Sequence, residues 1–126
     1  MDSSATTATS AGTVTGTARP LARATAEEWA GWFAALGEPT RVLILHLLAS
    51  EDRPLTVGEL TERLDVGQST ISHHLAKLAA VGFVLVDRVG TSSRWRVNQA
   101  CFERFPSAAE VVMGRIDPAF IEAKEP

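Results

Sequence analysis

The chain has 126 residues, 45% of them apolar, with a net charge of −3 and a single cysteine, Cys101. That length holds one domain of about 100 residues, small enough that a second subunit is expected to complete its core, while a lone cysteine excludes an internal disulfide and any zinc finger built from several thiolates. No apolar run approaches the ~20 residues of a bilayer-spanning helix and the start lacks the apolar centre of a secretory signal, so a cytoplasmic protein without membrane contact is expected.

Residues 1–24 are dominated by Ser, Thr, Ala and Gly without hydrophobic periodicity, which predicts a disordered tail. A transit peptide is the weaker alternative, because only Arg19 and Arg23 are basic there. A folded unit over 25–117 follows, and 118–126 is expected to fray. Thr25 can cap a first helix whose Trp29, Trp32, Phe33 and Leu36 fall at i, i+3, i+4 and i+7. Such an aromatic stripe could line an effector pocket, but a dimer seam is the preferred reading. Gly37 ends that helix, and Glu38-Pro39-Thr40 restarts another with Pro near its first turn. Val42, Leu43, Ile44, Leu45, Leu47 and Leu48 make it nearly all apolar, hence central, with His46 a satisfied core histidine.

Thr56-Val57-Gly58-Glu59 fits a capping box, which predicts a short helix to about Leu64, followed by the tight connection Asp65-Val66-Gly67. The next helix runs to Val81 and stops at Gly82. In it Ile71, Leu75 and Leu78 form a seam at i, i+4 and i+7, leaving Gln68, Ser69, Thr70, Ser72, His73 and Lys77 to project outward. Small hydroxyls and an amide at a helix start suit base edges and phosphates in a major groove. Phe83 to Val89 and Arg94 to Val97 read as a hairpin turning at Gly90-Thr91-Ser92-Ser93. Beyond Phe102, Phe105 and Pro106, the sequence Ser107-Ala108-Ala109-Glu110 matches a second capping box and predicts a last helix carrying Val111, Val112 and Met113, limited by Gly114 and Pro118. The expected fold is therefore mainly α with a small β-hairpin: a winged helix-turn-helix of order α-α-α-α-β-β-α, working as a homodimer.

Charge is segregated along the chain. Between Gly67 and Val97 the cations Lys77, Arg88, Arg94 and Arg96 face Asp87 alone, a local +3 in an acidic protein. That patch suits a polyanion at a defined site. Arg88 and Arg94, flanking the turn, are read as phosphate or minor-groove contacts. Arg96 is expected on the other side of its strand, since its spacing from Trp95 alternates with the core positions. His73 is the base or phosphate candidate and His74 a partly buried helix residue; adjacent helical positions diverge by roughly 100° and make no i, i+4 metal chelate. Cys101 is read as a core residue, with thiol or metalloid sensing as the alternative.

The segment Phe33-Ala-Ala-Leu36-Gly-Glu-Pro39-Thr-Arg41, with Gly67-Gln-Ser-Thr-Ile-Ser72-His73-His74-Leu75-Ala-Lys77-Leu78 and Gly82-Phe83-Val84, resembles the ArsR family of bacterial winged-helix repressors. The resemblance implies a homodimer joined mainly by its first and last helices, with Trp29, Trp32, Phe33, Val111 and Val112 at the interface. It also implies occupation of double-stranded DNA at an imperfect inverted-repeat operator until an effector of unknown identity releases it. Family metal sites lack their ligands here: Leu55-Thr56-Val57-Gly58-Glu59-Leu60 occupies the cysteine-bearing position and no histidine follows His74. No metal or other cofactor is expected. A protein-docking module without DNA binding is the rival reading; no nucleophile-base set supports an enzyme.

Overall fold

The computed structural model describes residues 20–117. The tails expected over 1–24 and 118–126 lie outside that span, except for the first tail's last residues. Helix α1 (Arg23–Ala35) starts two residues before Thr25, with Ala22 at its cap and no side-chain cap bond, so the proposed Thr25 cap is not used. Trp29 and Trp32 are each 1% exposed and stack on one another with centroids 6.4 Å apart. They form part of the chain's own core, which corrects their reading as interface anchors. Phe33, on the flank of that stripe, stays 38% exposed.

Helix α2 (Pro39–Ser50) begins as expected with Pro at N1, and the Glu38 carboxylate accepts from the Thr40 and Arg41 amides, two of the donors a helix start leaves unpaired. Ile44, Leu45 and Leu48 are buried, but Val42 and Leu43 are 46% and 51% exposed, so the helix is central on one side only. His46 lies on the open side and is exposed, contrary to the core reading.

The capping box forms as the sequence requires at the start of α3 (Val57–Leu64): Glu59 donates its amide to Thr56 Oγ1 at 3.1 Å, and Thr56 donates its amide to Glu59 Oε1 at 2.9 Å. Asp65 then takes a left-handed conformation, φ 54°, and turns the chain into α4 (Gln68–Ala80). Strands β1 (Val84–Val89) and β2 (Ser92–Val97) pair antiparallel, with Val84 opposite Val97 and Val89 opposite Ser92. The turn is thus two residues, Gly90 and Thr91, rather than four. Gly90 at φ 63° supplies the positive φ that such a short hairpin needs at its first position. Leu55 adds a bridge outside the hairpin, exchanging two backbone bonds of 2.9 and 2.7 Å with Trp95.

Helix α5 (Gln99–Val112) runs straight through Pro106, so Ser107 is interior and opens no second helix. The earlier turns are held because Phe105 packs its ring 5.3–6.1 Å from those of Phe33, Phe83 and Trp32, and Cys101 is buried one turn before. Packing on both sides of the proline outweighs the backbone bond it removes, a loss of about 3 kcal/mol in an isolated helix. Val111 is buried at 7% exposure and so joins the core instead of the interface; Val112 is 54% exposed.

Candidate nucleic-acid interface

Helices α3 and α4 pack as a pair, and their short left-handed turn puts the first residue of α4 at the surface. Ile71, Leu75 and Leu78 are fully buried and His74 is 9% exposed, so one wall of α4 is fixed. Gln68, Ser69, Thr70, Ser72, His73 and Lys77 are all exposed, as their spacing requires. At 100° per residue Ser69, His73 and Ala76 centre the outer face, Ser72 and Lys77 flank it, and Gln68 and Thr70 sit at its edges. Ala76, which the motif reading passed over, keeps the middle of that face low enough for close approach to a duplex.

The buried wall is anchored by polar groups as well. Arg41 Nη1 lies 3.1 Å from His74 Nδ1, and Glu38 Oε1 lies 3.8 Å from His74 Nε2. Partial burial works against the Glu38 charge, yet the amide bonds from Thr40 and Arg41, reinforced by the positive Arg41 guanidinium, hold its carboxyl below the ordinary range. The start of α2 thereby clamps the middle of α4. Glu38 and Arg41 carry a positioning role that sequence reading left unassigned.

In the wing, strand alternation places Asp87, Arg94 and Arg96 on one face and Arg88 on the other, with Ser93 and Trp95. Arg88 and Arg94 are both exposed but are not brought together. Arg96 does lie on the side away from Trp95, where its Nε donates to Asp87 Oδ2 at 2.8 Å. Asp87 therefore neutralises one of the wing cations. Arg94 makes no ion pair among the described residues, which leaves its charge available.

Cys101 is 6% exposed, and burial pushes its thiol up despite the opposing pull of Arg104. That disfavours the thiolate a sensor requires. Among the described residues no cluster of three or more His, Cys, Asp or Glu could hold a metal ion, and no helix is long and apolar enough to cross a membrane.

Four helices, a two-stranded basic wing and a closing helix, with the second member of the helix-turn-helix exposing a polar face, define a winged helix-turn-helix protein. Comparison with known proteins agrees. The model of the family described as "Bacterial regulatory protein, arsR family" matches residues 38–85. An uncharacterized HTH-type transcriptional regulator of Methanocaldococcus jannaschii, MJ1325, is 43% identical over 65 residues, 52% of this chain and 72% of its own. An ArsR-like transcriptional regulator from Rhodococcus sp. RHA1 superposes with a TM-score of 0.63 at 32% identity, over 71% of this chain and 82% of that one. The homodimeric winged helix-turn-helix DNA-binding domain of Mb0332 from Mycobacterium bovis, a possible ArsR-family transcriptional regulator, gives 0.60 at 26% identity, over 71% and 82%. The chain belongs to the ArsR family and is a DNA-binding transcriptional regulator. The relatives it matches are described as transcriptional regulators.

Proposed function

We propose that two copies of this chain form a cytoplasmic repressor that holds an imperfect inverted-repeat operator and leaves it when an effector binds. The observation that carries this is the division of α4 into a wall of buried Ile71, His74, Leu75 and Leu78 and an outer face of Ser69, Ser72, His73 and Lys77. A helix so divided is held rigidly by one side and is free to read with the other. Gln68, Ser69, Thr70, Ser72 and His73 supply base and phosphate contacts, while Lys77, Arg94 and, from the opposite wing face, Arg88 supply backbone attraction.

Pairing uses the residues of α1 and α5 that the chain's own core leaves uncovered: Phe33, Val112 and the neighbouring Met113, 76% exposed. The Arg104–Glu28 ion pair at 3.0 Å ties those two helices into one surface. A two-fold pair of recognition helices matches half-sites about 34 Å apart, one turn of DNA. Repression is the sign that the family resemblance implies.

The test is a gel shift of the purified protein on the DNA upstream of its own gene, with specific and unrelated competitors. A saturable shift removed only by the specific competitor is expected. Equal competition by unrelated DNA, or no shift, would support a protein-docking module instead and defeat the proposal.

A further inference from the structure

Between α2 and α5 lies an open cleft of about 290 Å³. Val42 and Leu45 line it from α2, Phe102 and Phe105 from α5, and Phe83 closes its floor. The wall is almost wholly carbon, and His46 is its single ionisable side chain. The ring of Phe105 meets that of Phe83 edge-on at 5.4 Å, so the floor is aromatic and rigidly set. A dry cavity of roughly 150 Å³ accepts benzene; this one has space for two fused rings. Three aromatic rings and several aliphatic side chains disfavour a metal ion or a multiply charged metabolite.

We propose that this cleft is the effector site of the repressor described above, and that its ligand is a small fused-ring or substituted aromatic molecule with one polar group directed at His46. The inference rests on the operator-binding reading for its regulatory half only. His46 is exposed on a helix whose neighbours are apolar, and the cleft gives that imidazole a use that core packing does not. The site is also wired to both ends of the DNA-binding apparatus. Helix α2 reaches α4 through Arg41 and His74, and Phe83 donates its amide to the Leu78 carbonyl at 3.0 Å at the end of α4. A molecule wedged between α2 and α5 pushes the clamp on the reading helix and the helix that carries the pairing surface at the same time. Coupling between two sites by this means typically changes affinity about 5–150-fold.

The probe is 2-naphthol, titrated by calorimetry into the full chain and into two variants. Ala49 lines the cleft but is exposed, so Ala49→Trp fills the space without disturbing the core. His46→Leu keeps the wall apolar and removes its polar group. One saturable site per chain is expected, weakened at least tenfold by Ala49→Trp and several-fold by His46→Leu, with thermal unfolding of both variants unchanged. Saturating 2-naphthol should also lower operator affinity of the parent chain at least fivefold and leave that of Ala49→Trp unaltered. No saturable binding overturns the proposal, as does equal binding by Ala49→Trp. Binding without any change in operator affinity removes the effector role. A chain that binds 2-naphthol at this site yet never shifts operator DNA overturns the repressor reading and leaves the ligand site standing.

Discussion

Arg41 on α2 and His74 on α4, 33 residues apart in sequence, meet at 3.1 Å beneath the exposed polar face of α4. His73 is exposed next to it, so one histidine of the pair holds the helix while the other is presented outward. Their rings stand edge to face at 5.6 Å. The two positions should therefore fail in different ways. His74→Ala removes one of two partners of the half-buried Arg41 guanidinium, whose Nε still donates to the Ala35 carbonyl, and should cost about 1–3 kcal/mol of folding stability, measured by urea unfolding. His73→Ala should leave stability within about 0.5 kcal/mol and lower operator affinity instead. Equal stability losses would remove the distinction.

Acid should loosen the helix-turn-helix at its first cap. The bidentate Arg53 side-chain bonds, helped by the Thr56 amide, push Glu59 down to about 2 from an ordinary 4.5. A carboxylate whose folded value is depressed contributes stability that is present above its unfolded value and lost as pH falls through the folded one. The stability gap between the parent chain and Glu59→Gln should accordingly be full at pH 6 and close progressively between pH 4.5 and 2. Chemical unfolding at a series of pH values checks this, and a gap that stays constant down to pH 2 contradicts it.

Buried and exposed aromatic residues separate cleanly on α1. Trp32 is 1% exposed and Phe33 38% exposed. Trp32→Ala should cost about 3–5 kcal/mol and threaten folding outright. Phe33→Glu and Val112→Asp should keep the helical circular dichroism of the parent and shift sedimentation from dimer to monomer. A dimer that survives both charges would place the interface elsewhere.

The wing offers a comparison between two arginines on one face. Arg94→Ala should weaken operator binding and reduce the salt slope by about one. Arg96→Ala should do less, because Asp87 already holds that guanidinium at 2.8 Å. Asp87→Asn releases the Arg96 guanidinium from its ion pair and should tighten binding at low salt. Anisotropy titrations from low to moderate salt give all three, and equal slopes for the two arginine variants would reject the assignment.

Local signals were legible in the sequence where neighbouring residues settle the structure among themselves. The Thr56–Glu59 cap, the apolar seam of α4 and the glycine turn of the wing need nothing from distant parts of the chain. Readings that depended on what lies opposite were less secure. Trp29 and Trp32 could serve a core or a seam by periodicity, and the choice fell to Phe83 and Phe105 of α5 packing on Trp32, with Trp29 stacked against it. Pro106 and the Ser107 cap signature argued for a break in α5, and tertiary packing of Phe105 overrode both. The Leu55–Trp95 bridge and the Arg41–His74 contact join residues 40 and 33 positions apart, and no local pattern announces them. His46 is exposed because the apolar run of α2 is buried along one side only, a distinction that composition does not carry.

The most direct measurement is a hydroxyl-radical footprint of the full chain on the DNA upstream of its own gene. Two protected patches related by a two-fold axis and centred about one helical turn apart are expected, with both lost together in the Ser72→Ala, His73→Ala double variant. A single patch, or protection that survives that variant unchanged, would contradict a paired reader built on α4.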